Sequence, residues 1–174
     1  KLRGLLPRNN IEFIPRRRQD IDFIFLVANA HQARLIKPTL AFYFAANVPV
    51  FALPSVFDGF SKSTGNRDLE GIWFADVPWL LEDGSLKQKI NRELRTAPGS
   101  SQRLRALGVD SFRLSPRLNQ MTNWDNAEVL GATGTLTLSE TRRIHRSLDF
   151  AQFQNGTVER HRVLLPPSLP DLNH

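Results

Sequence analysis

An α/β fold with parallel strands is what this sequence predicts, on three observations. Residues Ile21, Phe23, Ile24, Phe25, Leu26 and Val27 form an apolar run broken only by Asp22. Such a run suits a strand covered on both faces, the setting of a parallel sheet between helix layers. A helical segment follows, and then a second apolar run, Val48-Pro49-Val50-Phe51-Ala52-Leu53. A helix between two strands imposes a right-handed parallel crossover.

The elements justify themselves in order. Residues 1–15 carry Pro7, Asn9, Asn10 and Pro15 around Ile11-Glu12-Phe13-Ile14, an irregular entry with room for one short strand. Arg16-Arg17-Arg18 then leads into the first sure strand. Asn29 offers an N-cap, with Gln32 three residues on to complete a capping box. Ala33, Ile36, Leu40 and Phe44 recur at helical spacing and predict the buried stripe of that helix. Pro38 lies within it and predicts a kink or break. Pro54 to Gly59 form a loop, Ser61 to Asp68 a mobile stretch or short helical turn, and Gly71 to Ala75 a third strand.

Ser85 with Gln88 reads as a second capping box, opening a helix with Leu86, Ile90 and Leu94 on one side. Pro98-Gly99 breaks it. Leu104, Leu107, Leu114 and Leu118, with Phe112 alongside, predict a further helix from Ser100 to about Met121, kinked at Pro116. Thr135 to Leu138 alternate like a half-buried strand, and Ile144 to Phe153 read as its antiparallel return. Asn155-Gly156 signals a hairpin before a strand from Thr157 to Val163. Pro166, Pro167 and Pro170 mark residues 164–174 as a disordered tail.

Composition narrows the function classes. At 174 residues, 41% hydrophobic and 23% charged, the chain is ordinary for a globular domain or a piece of a larger protein. It opens on Lys1 without Met, which favours the piece. No apolar run approaches the ~18–20 residues that span a bilayer as a helix. Zero cysteines rule out disulfides, thiol catalysis and cysteine zinc sites. The net charge of +6 raises nucleic acid or anionic membrane as partners. Its arginines are scattered over separate elements, however, and no nucleic-acid-binding motif accompanies them, so no nucleic-acid partner is expected.

In an open parallel sheet, ligands meet the loops at the carboxyl ends of the strands. Those loops carry Asn29, Ser55, Phe57, Asp58, Asp76 and Trp79, which are therefore the ligand-cleft candidates. The same residues have a structural reading: Asn29 caps a helix, Phe57 and Trp79 pack, and Asp58 opens a turn. Catalysis finds no constellation. Ser55 lacks a Gly-x-Ser-x-Gly elbow. His31, His145, His161 and His174 stand apart, without metal-ligand spacing or an orienting carboxylate. Gly131 and Gly134 lack the spacing of a phosphate loop. Neither a catalytic residue, a metal site nor a cofactor is expected.

With these residues placed, the chain resembles the carboxyl-terminal domain of the LpoA (YraM) family, outer-membrane lipoproteins that activate penicillin-binding proteins. The matching stretches are Arg16 to Asp22, Leu35-Ile36-Lys37-Pro38, Leu69-Glu70-Gly71, Gly108-Val109-Asp110 and Gly131 to Thr137. Ile144, Arg146, Leu148, Gln152 and Gly156 continue the match. The resemblance implies a two-lobed type I periplasmic-binding-protein-like fold, here mostly one lobe and a fragment of the whole. On that pattern residues 1–97 and 128–163 form one lobe, and the helical segment 98–127 belongs to the other. It also implies a non-enzymatic activator on the periplasmic side of the outer membrane, held by a lipid anchor outside this chain. Its partner would be a bifunctional penicillin-binding protein whose peptidoglycan cross-linking it stimulates. The alternative is a small-solute binding module of the type I periplasmic-binding-protein class.

Overall fold

In the computed structural model, the structure describes residues 20–95, 99, 101–124 and 127–161. The expected short strand at 11–14, the arginine run at 16–18 and the tail at 164–174 lie outside them. Three strands, β1 (Ile24–Leu26), β2 (Val50–Ala52) and β3 (Ile72–Asp76), run parallel in that order. The antiparallel hairpin β7 (Asp149–Gln154) and β8 (Thr157–His161) extends the sheet beyond β3. Its turn is Asn155-Gly156, with φ of 52° and 73°, the two positive values that match a hairpin to strand twist.

Between β1 and β2 runs α1 (Ala30–Phe42), the expected crossover helix. Its capping box is present: the Gln32 amide donates to Asn29 Oδ1 at 2.9 Å, and the Asn29 amide donates to Gln32 Oε1 at 3.0 Å. Losing such a cap costs about 0.5–2 kcal/mol. Asn29→Ala should therefore lower the unfolding free energy by about 1 kcal/mol. Amide exchange should rise first in the opening turn of α1. The helix continues past Pro38, so the expected break does not occur. Pro38 forfeits the ladder bond to the Arg34 carbonyl in the helix interior, and the helix runs on to Phe42 around that loss. Phe44, expected on the buried stripe, lies beyond the helix end at φ 61° and is exposed.

One face of the five-stranded sheet is the core. Leu26, Val50, Ala52, Ile72, Phe74, Ala151 and Phe153 alternate inward and meet Ala33, Val56, Phe57, Leu69 and Ala106. Period-two alternation sends the intervening residues to the other face. There Phe23, Phe25, Val27 and Phe51 are exposed, Phe25 by 57%. The apolar run at 21–27 thus predicted coverage of both faces, and among the described residues only one is covered. Phe23 and Phe51 pack edge to face on the open side, 6.1 Å apart.

Beyond β3 come the short helix α2 (Pro78–Leu81) and α3 (Ser85–Glu93). The cap of α3 is Gly84 and no side chain caps it, so the Ser85–Gln88 capping box is not formed. Ser85 already lies inside the first turn. Next are α4 (Gln102–Leu114) and α5 (Leu118–Asn123), with Pro116 in the 3-10 turn between them, where the kink was expected. Before the chain returns to the first sheet as β7 and β8, it forms a second, three-stranded antiparallel sheet of β4 (Glu128–Leu130), β5 (Thr135–Leu138) and β6 (Ile144–Ser147). Leu136 of that sheet packs with Leu114 and Met121 in a small core of its own.

The single return strand predicted from Ile144 to Phe153 is therefore two strands in two sheets. Gly134 explains the switch. It holds φ 140°, and a Cβ there would meet the Ser147 carbonyl oxygen at 2.2 Å. The glycine lets the loop before β5 press against the point where the chain leaves one sheet for the other.

Candidate functional site

The strand-end loops lie together at the carboxyl edge of β1 to β3, and each candidate side chain there has a partner inside the protein. Asn29 caps α1. Ser55 Oγ donates to the Ala28 carbonyl at 2.8 Å, tying the end of β2 to the end of β1. Asp58 accepts from Arg34 Nη2 at 2.6 Å and from the Phe60 amide at 3.2 Å. Phe57 is 1% exposed, its ring 5.5 Å from Phe74 and 6.2 Å from Phe153.

Asp76 and Trp79 are joined to α4. The Asp76 carboxylate, 1% exposed, accepts from Arg103 Nε at 3.0 Å and Nη2 at 2.5 Å, and from the Val77 amide at 2.7 Å. The same Arg103 Nη2 donates to the carbonyls of Pro54 at 2.9 Å and Phe57 at 3.0 Å. A carboxylate this deep requires a paired cation, and the planar guanidinium meets both of its oxygens. Trp79 Nε1 donates to Gln102 Oε1 at 2.9 Å, and Gln102 Nε2 donates to Asn91 Oδ1 at 2.9 Å. The structure thus gathers Phe57, Asp76 and Trp79 under α4, places Ser55 and Asn29 at the end of β1, and turns Asp58 toward α1.

A second set of contacts fastens α4 further along. Asp110, buried, accepts from the amides of Ala132 and Thr133 and from Thr133 Oγ1, each at 2.7 Å. Gly131 is required beside it, because a Cβ there would meet Asp110 Oδ2 at 2.6 Å. Arg103, Gln102 and Asp110 are not among the candidate site residues read from the sequence, where Asp110 enters only in the family-matching stretch 108–110. The buried side of α4 is Gln102, Ala106, Asp110 and Leu114, while Leu104, Leu107 and Phe112 face outward. Leucine spacing located the helix, but of its apolar residues named there only Leu114 lies on the inward face. The available signal was the four-residue recurrence of 102, 106, 110 and 114, polar at two of its positions.

Between α4 and β5–β6 lies an open groove of about 470 Å³, lined by Leu107, Leu114, Leu118, Leu136, Ile144 and Arg146 among others. No three His, Cys, Asp or Glu side chains converge to hold a metal among the described residues. No helix of the described residues is long and apolar enough to cross a membrane.

A parallel sheet extended by an antiparallel hairpin, with strand ends met by a later helix, defines a protein of type I periplasmic-binding-protein-like architecture. Within that class the chain belongs to the LppC family, whose model, described as "LppC putative lipoprotein", matches residues 1–156. It is 33% identical over 146 residues to the penicillin-binding protein activator LpoA of Vibrio cholerae, covering 82% of this chain and 24% of that protein. The corresponding LpoA of Photobacterium profundum is 28% identical over 153 residues, again at 24% of its length. The chain therefore spans about a quarter of the length of these curated relatives. Among solved structures, the LpoA (YraM) C-domain from Haemophilus influenzae, titled a regulator of PBP1A, matches with a TM-score of 0.68 at 18% identity. That match covers 83% of this chain and 46% of the other. A Chromobacterium violaceum protein titled "putative branched-chain amino acid ABC transporter" matches with a TM-score of 0.57 at 26% identity, over 75% of this chain and 42% of the other.

Proposed function

We propose that this chain is the part of an envelope lipoprotein that docks on a bifunctional penicillin-binding protein and stimulates its peptide cross-linking. The carrying observation is the fate of the strand-end loops: their polar groups are spent on internal bonds, which suits a rigid docking body. Binding preferentially to the active conformation of the synthase raises that state's population, and no chemistry in the activator is needed. The protein is on this reading non-enzymatic, on the periplasmic side of the outer membrane, anchored by lipid outside this chain. The relatives named as activators support the first of these points, and the family's lipoprotein description supports the lipid anchor.

The test uses the full-length protein and a purified bifunctional synthase with labelled substrate. The cross-linked fraction of the product should rise with activator concentration and saturate. An unchanged cross-linked fraction at saturating activator would refute the proposal.

A second reading, a small-solute binding module, is favoured by the likeness to the Chromobacterium protein. Asn29, Ser55, Phe57, Asp58, Asp76 and Trp79 would line its cleft. Calorimetry against branched-chain amino acids and muropeptides separates the two, and saturable heat that is lost in Ser55→Ala would favour the solute.

A further inference from the structure

We propose that the strand-end cleft is a guanidinium site held shut from within: Arg103 of α4 is its resident occupant, and release of that side chain unseats the start of α4. Four acceptors converge on one planar group. They are both oxygens of Asp76, at the end of β3, and the carbonyls of Pro54 and Phe57, just past the end of β2. This is the position where an open parallel sheet presents itself to ligands. Here the donor comes from the chain's own helix, 27 residues from Asp76 and 49 from Pro54.

The chemistry of the acceptors specifies the occupant. Asp76 is buried and both of its oxygens accept from Arg103, so the cleft is built around a cation. Nη2 alone reaches Asp76 Oδ2 and both carbonyls, and what a lysine ammonium cannot add is the second, parallel bond that Nε makes to Asp76 Oδ1. Arg103 keeps a quarter of its side chain exposed, so the site opens to solvent on the side from which a competitor would come. Gln102, next along α4, bonds Trp79, so the indole of Trp79 reports whether the start of α4 is seated. Molecules able to enter after Arg103 leaves are guanidinium compounds, the arginine side chain among them. The inference stands apart from the activator reading, since no readout below involves a synthase.

The experiment is chemical rescue of Arg103→Ala in this chain, with ethylguanidinium as the probe and ethylammonium as the matched cation. The readouts are the thermal midpoint and the Trp79 indole N–H resonance, assigned against Trp79→Phe. Arg103→Ala should lower the midpoint by several degrees and move the indole signal toward its solvent-exposed position. Low-millimolar ethylguanidinium should reverse both changes saturably, ethylammonium should not, and the wild type should respond to neither. Arg103→Lys should recover only part of the loss. Should Arg103→Ala be unfolded by itself, ethylguanidinium must refold it. A variant indistinguishable from wild type, an absent rescue, or equal rescue by both cations would overturn the assignment.

Discussion

Replacing Phe74 with alanine is expected to cost about 3–5 kcal/mol, at the upper end of that range. Phe74 is 2% exposed at the middle of β3, its ring 5.5 Å from that of Phe57 and 5.0 Å from that of Phe153. Its register neighbours on both sides are small, Ala52 on β2 and Ala151 on β7. The single ring fills the width of three strands, and neither alanine can move into the space it vacates. A cavity that cannot collapse carries the full penalty of lost contacts as well as lost burial. Domains of this size are stable by only about 5–15 kcal/mol, so the substitution removes a large share of the total. Urea unfolding followed by circular dichroism should show the midpoint fall with the slope unchanged. Phe150→Ala, on the open face one residue from Ala151, serves as the control and should cost far less. Equal losses for the two would mean that the wrong face has been taken as the core.

Asp110→Ala should be the second most damaging change. Its carboxylate is the acceptor for two buried backbone amides and a hydroxyl, all at 2.7 Å. Stranding a buried donor costs about 1–3 kcal/mol, so two amides sum to about 2–6 kcal/mol. The damage should be local at first. Amide exchange at Ala132 and Thr133 should accelerate, and the Trp79 amide, which donates to the Ala132 carbonyl at 3.0 Å, should follow. Asp110→Asn should recover a fraction, because its carbonyl serves one donor while its amide group confronts the other. Gly131→Ala should reproduce the phenotype from the opposite side, by pushing the loop off the carboxylate. Protection at 131–134 that survives both substitutions would show that the loop is held by something else.

Much of the architecture is legible one stretch at a time. The apolar runs at 21–27 and 48–53 with a capped helix between them require a parallel crossover, and β1 and β2 run that way. Asn29 with Gln32, Pro116 and Asn155-Gly156 each act within a few residues of themselves, and each does what its local chemistry dictates. The failures share a cause. Ser85 misled by one position because serine, glycine and the first helical turn offer nearly equivalent starts. Leu104 and Leu107 misled, though Leu114 did not, because apolar periodicity locates a buried face only when the neighbour across it is apolar too.

The candidate loops were correctly placed at the strand ends from residue types alone, yet their partners were invisible. Asp58 meets Arg34 at a separation of 24 residues, Trp79 meets Gln102 at 23, and Asp76 meets Arg103 at 27. A polar residue on a helix reads as solvated until the fold brings a buried acceptor to it. Short-range sterics and hydrogen-bonding capacity are written into each segment, so strands, caps and turns follow from composition and order. Which polar group is satisfied by which depends on the arrangement of whole elements in space, and that arrangement sets Arg103 of α4 among the loops at the strand ends.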